Sequence, residues 1–476
     1  MLAAVGLGLA TWTWRTWTDP IVDFGRDLYV PWRITEGDRL YRGLAYFNGP
    51  LSPYFNAGLF RAFGVSIGTL IGANLVLLGA VLGLLVSLLR RAAGWLCALV
   101  GTLAFLACCA FWQNVFVANF NWVTPYSHEA THGVILGLAS LWALARWRDD
   151  GRRRWLIASG CAVGLAFLTK PEAFVAAAGA SAIALLAASR RSGDPARAIG
   201  WWIGSALVPP ALALLLLASG IGLGAAARGL LAAYQSALRG DVVGNPFYRR
   251  VAGLEDPAGN GLRMVRYVGV GLALLAPAAA IAWLGTAWPR RWATAAALAT
   301  TILVAALAVR LSLWLDAGRV LPLALLAIAA VSLRPSLRGG SERADAALPL
   351  AVFGLLLLAK TILNSSMRHY GFALAAPGLA LTAAVLAGPV PGWVDRRGWS
   401  GPALRAGALT IVAATMLSYL VGTGLFIASK PVTVAAGADR FRANDRRRVV
   451  GDALRWLEAN GGPPGARRTV AIMPEG

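Results

Sequence analysis

The amino-acid sequence predicts an all-α polytopic membrane protein. Its residues are 58% hydrophobic and 14% charged, and its mean hydropathy is +0.62, which lies outside the composition of soluble globular domains. In addition, about thirteen apolar runs approach the roughly 20 residues that a helix needs to cross a bilayer. The runs cover approximately residues 1–17, 65–89, 94–113, 133–146, 155–169, 173–189, 199–221, 266–288, 293–311, 320–333, 346–363, 371–389 and 406–428.

We interpret the first run as a retained membrane span, because it begins at Met1 without a basic segment and carries no small-residue cleavage site. Further along, runs 155–169 and 173–189 form either two helices or one helix bent at Pro171. The cysteines lie inside apolar runs without metal-ligand spacing, so each is interpreted as a small buried hydrophobic residue. They are Cys97, Cys108, Cys109 and Cys161.

The connections between the runs predict the orientation of the chain. The net charge is +22, but the arginines form short clusters between apolar runs, which indicates membrane topology and not a nucleic-acid partner. Every second short loop is basic and is therefore predicted to be cytoplasmic: Arg90-Arg91, Arg146 to Arg154, Arg190-Arg191 with Arg197, Arg290-Arg291, Arg334 to Arg343, and Arg396-Arg397 with Arg405. The remaining connections are predicted to be extracytoplasmic: 18–64, 114–132, 170–172, 222–265, 312–319, 364–370 and the tail from 429.

Two regions follow from this topology. Residues 1–428 are predicted to form a transmembrane domain with a long first extracytoplasmic loop, 18–64, and a second large one, 222–265. Residues 429–476 are predicted to form a short extracytoplasmic α/β segment, with an amphipathic helix over 439–459 and a strand over 469–473. One helix and one strand cannot bury a core, so this segment either is a truncated part of a larger domain or packs on the membrane domain.

Ionisable residues gather on the predicted extracytoplasmic side. They are Asp23, Asp27, His128, Glu129, His132, Glu172, Asp316, Arg319, Arg368 and His369. Lysine is confined to positions 170, 360 and 430, and the first two end long apolar runs. Lys170 and Lys360 either anchor the helices by reaching the lipid headgroups, or pair with a phosphate or carboxylate, since an unpaired ammonium at membrane depth is costly.

His128-Glu129-Ala130-Thr131-His132 matches the pattern H-E-x-x-H. On a helix this spacing places two imidazoles one turn apart for a zinc ion, with the glutamate as a general base. No acidic motif downstream supplies a third ligand. The motif therefore indicates a membrane zinc protease, a metal or phosphate contact within another active site, or interfacial packing, and a divalent metal ion is the one cofactor that the sequence suggests.

The first extracytoplasmic loop contains several short motifs: Val22-Asp23-Phe24-Gly25-Arg26-Asp27-Leu28-Tyr29, Glu36-Gly37-Asp38-Arg39-Leu40-Tyr41, Asn48-Gly49-Pro50-Leu51, and Phe60 with Phe63-Gly64. With these motifs the loop resembles that of the GT-C glycosyltransferases, and more narrowly that of glycosyltransferase family 39, the protein mannosyltransferase and aminoarabinose transferase group. In that group an acidic residue or pair follows the first helix, and a Gly-Asp lies about fourteen residues further on. Asp23 stands at that distance from Gly37-Asp38, although Val22 and Phe24 replace the usual acidic neighbour.

Three further segments fit the resemblance: Gly164-Leu165-Ala166-Phe167-Leu168-Thr169-Lys170-Pro171-Glu172, Arg368-His369-Tyr370-Gly371-Phe372 followed by Pro377, and the extracytoplasmic C-terminal tail. The resemblance implies inverting transfer of a sugar from a polyprenyl-phosphate donor to a lipid, glycan or protein acceptor on the outer side of a bacterial plasma membrane. Chemically, a carboxylate would deprotonate the acceptor hydroxyl, and we assign this role to Asp23 with Asp27 as the alternative. Cations and polar groups at the membrane boundary would bind the donor phosphate and sugar: Lys170, Glu172, Lys360, Arg368, His369 and Tyr370.

A polytopic transporter or lipid flippase is a further alternative, because it too combines many helices with ionisable residues. The sequence shows no internal repeat, and its charges lie at one membrane boundary and not at the midplane. Loop 222–265 carries aromatic, basic and acidic residues in Asn245 to Arg250 and Gly253 to Pro257. These residues either line a sugar site or belong to a solvated interfacial loop.

Overall fold

The computed structural model describes residues 1–18, 24–113, 119–189, 194–240, 244–285, 288–310, 313–338 and 341–460. Within these ranges the chain is helical apart from connections and one short β-hairpin, as the sequence predicts. The first ten helices are α1 (Leu2–Trp12), α2 (Phe24–Thr35), α3 (Leu51–Phe63), α4 (Ile67–Ala93), α5 (Trp95–Phe105, continued by a π-helical turn at Leu106–Ala110), α6 (His128–Asp150), α7 (Arg153–Phe167), α8 (Pro171–Ser189), α9 (Pro195–Ile221) and α10 (Leu223–Arg239).

The second half of the chain continues in the same way. Its helices are α11 (Pro246–Ala252), α12 (Pro257–Leu284), α13 (Arg290–Arg310), α14 (Leu321–Leu337), α15 (Glu342–Leu358), α16 (Gly371–Leu374), α17 (Ala376–Ala387), α18 (Pro389–Asp395), α19 (Gly401–Ala428) and α20 (Arg448–Asn460). Short 3-10 helices cover Leu313–Val320, Ala359–Asn364, Gly437–Asp439 and Asp445–Arg447. The hairpin pairs β1 (Val432–Val434) with β2 (Phe441–Ala443) in antiparallel register.

In the described residues, nine helical segments are long and apolar enough to cross a membrane, and Leu2–Trp12 and Trp95–Ala110 are shorter apolar helices. A helix lies in each of the predicted apolar runs, but the count of about thirteen crossings stays a prediction. The alternative of one bent helix at Pro171 is wrong, because α7 ends at Phe167 and α8 begins at Pro171. The break between them is where Lys170 lies.

Small residues bring the membrane helices together. A Cβ atom at Gly160 of α7 would lie 2.0 Å from Ser205 Oγ on α9, and one at Gly164 would lie 2.2 Å from the Ala206 carbonyl oxygen. Only glycine permits this approach, which is typical of helix packing in lipid, where close van der Waals contact replaces the hydrophobic effect as the driving force. These contacts hold α7 against α9 in the part of the helix pair that includes Gly160 and Gly164.

The first loop folds into α2 and α3 at one end of the bundle, which we call the first-loop face. The buried positions of α2 have the spacing of one helix face: Phe24, Asp27, Val30, Pro31 and Ile34. At the C-terminal end of this helix, the Arg33 side chain donates to Asp38 Oδ2 at 2.6 Å. Residues 24–64 of the loop therefore form a folded layer over the bundle.

The tail after α19 also packs on the first-loop face. Asp439 Oδ1 accepts a hydrogen bond from the Ile67 amide at 2.7 Å, and the Arg442 amide donates to the Arg15 carbonyl at 2.7 Å. The predicted amphipathic helix over 439–459 begins only at Arg448, because β2 and a 3-10 turn occupy the residues before it. The predicted strand over 469–473 lies outside the described residues.

Candidate functional site

Helices α2 and α6 bring two buried carboxylates together at the first-loop face. Asp27 comes from the buried face of α2, and Glu129 from the first turn of α6. Arg26 lies between them, with its Nη2 atom 3.8 Å from Asp27 Oδ2 and 3.9 Å from Glu129 Oε2. The Ser127 hydroxyl also donates to Glu129 Oε2. Asp23, the preferred base of the sequence prediction, lies outside the described residues.

His128 is held in one orientation by α4. The Asn74 side-chain amide donates to the Val123 carbonyl at 2.9 Å and to His128 Nε2 at 3.0 Å. Since Nε2 accepts a hydrogen bond, the proton of the neutral imidazole is on Nδ1, which faces Asp27 Oδ2 at 3.6 Å. Asn74 was not predicted, although a single asparagine within the apolar run 65–89 could have indicated it.

His132 lies one turn further along α6 and contacts α3. Its Nδ1 atom lies 2.9 Å from Ser52 Oγ, and its ring packs edge-on against Phe55. The His128 and His132 rings are 5.7 Å apart, as the H-E-x-x-H spacing predicts. No group of three or more His, Cys, Asp or Glu side chains in the described residues could hold a metal ion. The metal site formed by His128, Glu129 and His132 therefore stays a prediction.

Lys170 lies in the tight connection between α7 and α8, and the first loop clamps this connection. The Gly49 amide donates to the Thr169 carbonyl at 2.9 Å, and the Leu51 amide donates to the Leu168 carbonyl at 3.0 Å. A Cβ atom at Gly49 would lie 2.2 Å from the Leu168 oxygen, so the clamp needs glycine at this position. The Lys170 ammonium lies 5.3 Å from the centre of the Tyr126 ring, and the side chain is only 8% exposed. It is thus buried in the site and does not extend freely into a headgroup layer.

Lys360 forms a second cationic position, from the 3-10 helix after α15. Its Nζ atom lies 2.9 Å from Glu172 Oε1 of α8, and 4.7 Å and 6.0 Å from the ring centres of Tyr370 and Tyr248. Tyr370 in turn packs 5.5 Å from Tyr126. The two lysines are therefore connected through a pair of tyrosine rings, and both lie near Glu172.

Arg368 and His369 lie at the edge of this aromatic group. Arg368 Nη2 lies 2.8 Å from Asp316 Oδ1, and Tyr267 donates to the other carboxylate oxygen at 3.2 Å. His369 has φ +56, a left-handed conformation that is uncommon for residues other than glycine, and its ring centre lies 4.6 Å from that of Phe120. The chain bends sharply here and places its side chains around the rings of Phe120, Tyr126 and Tyr370.

Part of the second large loop covers the site. The Phe247 ring centre lies 6.1 Å from that of His369. Arg319, which is buried, donates to Asn364 Oδ1 at 2.8 Å and to Asn260 Oδ1 at 3.4 Å, so it ties this loop to the segment after Lys360. The aromatic residues of the loop thus lie against the predicted site residues.

Tyrosines of the first loop border the site outside the membrane-spanning segments. Tyr41 donates to the Asn48 carbonyl at 2.7 Å, and burial raises the pKa of Tyr41 well above its ordinary value. Burial likewise raises the pKa of Tyr54. Both hydroxyls therefore stay neutral at physiological pH and act as hydrogen-bonding groups.

An apolar cavity of about 260 Å³ lies beside Arg368 and Asp316. Most of its walls come from α12, α14, α17 and α19, and the lining also includes Ala317 and Met367, the sequence neighbours of Asp316 and Arg368. The cavity therefore lies next to the charged edge of the site and is suited to a hydrocarbon chain.

No protein-family description and no curated protein matches this sequence. Solved structures of the oligosaccharyltransferase from Archaeoglobus fulgidus do match. The complex with zinc and sulfate is 15% identical with a TM-score of 0.50, covering 96% of this chain and 55% of that chain. The apo form is 13% identical with a TM-score of 0.50, covering 98% of this chain and 58% of that one.

A structure of ArnT from Cupriavidus metallidurans bound to undecaprenyl phosphate is 14% identical with a TM-score of 0.49, covering 90% of this chain and 77% of that chain. The present chain spans a little over half the length of the oligosaccharyltransferase structures that it matches. At 15% identity or less, the likeness to the oligosaccharyltransferase concerns the fold alone. The chain has the GT-C fold.

Proposed function

We propose that this protein is a membrane glycosyltransferase that transfers a sugar, with inversion, from a polyprenyl-phosphate donor to an acceptor. The observation that carries the proposal is the meeting of buried carboxylates and ammonium groups at one end of a GT-C helix bundle. Asp27 and Glu129 lie on either side of Arg26, Lys170 interacts electrostatically with Glu129, and Glu172 pairs with Lys360. Opposite charges pre-placed at a membrane boundary are what a sugar transfer from a lipid phosphate requires.

A carboxylate is needed because an acceptor hydroxyl is a weak nucleophile. It would accept the hydroxyl proton as the oxygen attacks the anomeric carbon and the bond from the sugar to the phosphate breaks. Asp23 remains our preferred base, as the spacing of the first-loop motif indicates. Asp27 is the alternative base. Its position opposite His128 Nδ1 also supports a role in balancing the positive charge of Arg26.

The departing polyprenyl phosphate gains negative charge, which cations in a region of low dielectric would stabilise. We assign this role to Lys170 and Lys360, with Arg368 at the edge of the site. The apolar cavity beside Arg368 would hold the first isoprene units of the donor, since its walls are almost entirely hydrocarbon. No metal ion enters this proposal.

The proposal is tested with purified protein and a panel of polyprenyl-phosphate-linked sugars. Asp23→Asn keeps the size of the side chain but cannot accept a proton at neutral pH, so transfer should fall by roughly 10²- to 10⁴-fold while donor binding is retained. Asp27→Asn is the matched variant on the same loop. If Asp27→Asn alone abolishes transfer, the base is Asp27, and if both variants keep full activity, the proposed mechanism is wrong.

A further inference from the structure

A second apolar groove, of about 670 Å³, lies on a different side of the site. It runs between α7 and α9, and residues at the start of α3 border the end that lies toward the first-loop face. Its lining includes Leu165, Leu212, Ala213 and Leu216, together with Leu51 and Tyr54. It shares no lining residue with the cavity beside Arg368.

The glycines of α7 lie beside the groove. Gly160 and Gly164 allow α7 to touch the backbone of α9, and a Cβ atom at Gly164 would also lie 2.9 Å from Pro209 Cδ. Cys161 and Leu165 of α7, and Leu168 directly after it, line the groove together with Pro209. The close contact between the two helices therefore forms one edge of the groove.

The length of the groove along α9 matches the thickness of one leaflet of a bilayer. Its lining on α9 extends from Val208 to Leu217, which is ~14 Å of helix, about half of a hydrocarbon core of about 30 Å. Val208, Leu212 and Leu216 are exposed at 48%, 54% and 75%, so the groove is open toward the surrounding lipid. A hydrocarbon chain of the leaflet on the first-loop face is the occupant that fits this length and polarity.

The start of α3 connects this end of the groove to the charged site. Leu51, which lines it, is bonded through its amide to Leu168 beside Lys170. The next residue, Ser52, contacts His132 Nδ1. A lipid with its chain in the groove would therefore present its headgroup next to His132 and Lys170.

We propose that this groove binds the chain of the acceptor, and that the acceptor is a lipid of the leaflet on the first-loop face. The inference rests on the proposed function, because it names the substrate class of the same site. The headgroup hydroxyl of the lipid would form the new glycosidic bond as the bond from the sugar to the polyprenyl phosphate breaks, with its proton passing to the first-loop carboxylate. Donor and acceptor would thus enter from separate grooves.

The experiment fills the groove and follows the product. Ala213→Phe adds a ring inside the groove, and Ala213→Leu is a smaller addition for the case that the larger one disturbs folding. A third groove of about 630 Å³, between α13 and α19, offers the matched control Ala414→Phe. Each variant in nanodiscs is given a polyprenyl-phosphate donor with radiolabelled sugar. The acceptor is either a total membrane lipid extract or a delipidated cell-envelope fraction that contains glycan and protein, and the label is counted in the organic and aqueous products.

Ala213→Phe should raise the KM for lipid acceptor by about tenfold or more, Ala213→Leu by less, and Ala414→Phe not at all, with donor binding unchanged throughout. Transfer of label to water-soluble glycan or protein, or an unchanged KM in both Ala213 variants, would overturn the inference and leave the glycosyltransferase function standing.

A phosphatidylglycerol with a diazirine on its acyl chain, used as a photo-crosslinking probe, distinguishes failure of the lipid site from failure of the proposed function. If no donor sugar is ever transferred, but this probe crosslinks to α7 and α9 in wild type and not in Ala213→Phe, the lipid site is supported and the proposed function is wrong. Equal crosslinking in wild type and Ala213→Phe would count against the site itself.

Discussion

Replacing Lys360 by alanine tests whether this ammonium binds donor phosphate or only anchors its helix. A hydrogen bond to a charged group contributes about 1.5 to 3 kcal/mol. Lys360 already lies 2.9 Å from Glu172 Oε1, so a phosphate would have to share or replace that carboxylate. We therefore expect the lower end of the range, which corresponds to a roughly tenfold weaker Kd for the donor in Lys360→Ala.

Glu172→Gln makes the prediction sharper, because it frees the same ammonium. If Lys360 binds phosphate, this variant should bind donor at least as tightly as wild type, whereas loss of a purely structural pair would weaken binding in both variants. The measurement is equilibrium binding of an undecaprenyl phosphate analogue to protein in nanodiscs. Arg263→Ala is the matched control, since Arg263 also pairs with a carboxylate near the same face, at 3.3 Å from Asp256. A Kd within twofold of wild type in Lys360→Ala would refute the phosphate-binding role.

Three further outcomes are expected. Gly49→Ala should lower transfer by about 10²-fold, because its Cβ must move roughly 1 Å away from the backbone it touches. Gly58→Ala, in open space on α3, should keep full activity. Equal activities of the two variants would show that the contact of Gly49 with residues 168 and 169 is dispensable. Arg319→Met should speed proteolytic cleavage of the second large loop at least tenfold, and an unchanged rate would mean that its hydrogen bonds do not hold the loop. Membrane-impermeant thiol reagents on intact cells should label cysteines introduced into residues 222–265 but not into Arg146 to Arg154, and the reverse pattern would invert the predicted orientation.

Most helix positions could be predicted from the sequence, because the length of an apolar run is a local property. The predicted run 65–89 corresponds to α4, and 406–428 to the larger part of α19. The tail was predicted less well. Residues 441–443 form a strand instead of helix because they pair with 432–434 and bond to Arg15, and neither partner is visible in local periodicity.

The sequence predicted which residues of the candidate site lie on one side of the membrane. It did not predict which of these residues contact each other. Glu172 and Lys360 are 188 positions apart, and Arg26 contacts the carbonyl of Tyr126 from 100 positions away. The sequence indicated Asp27 only as an alternative base in a loop. In the structure it is 4% exposed, because it lies on the buried face of α2.

The sequence by itself determined the all-α membrane architecture and the grouping of ionisable residues, because lipid requires long apolar helices and restricts charge to their ends. Only the tertiary structure decided which charges meet, which of them are buried, and where the helices leave grooves between them. These properties depend on how distant side chains fill the space between helices, as at Gly164 and Pro209, and no local pattern in the chain specifies that packing.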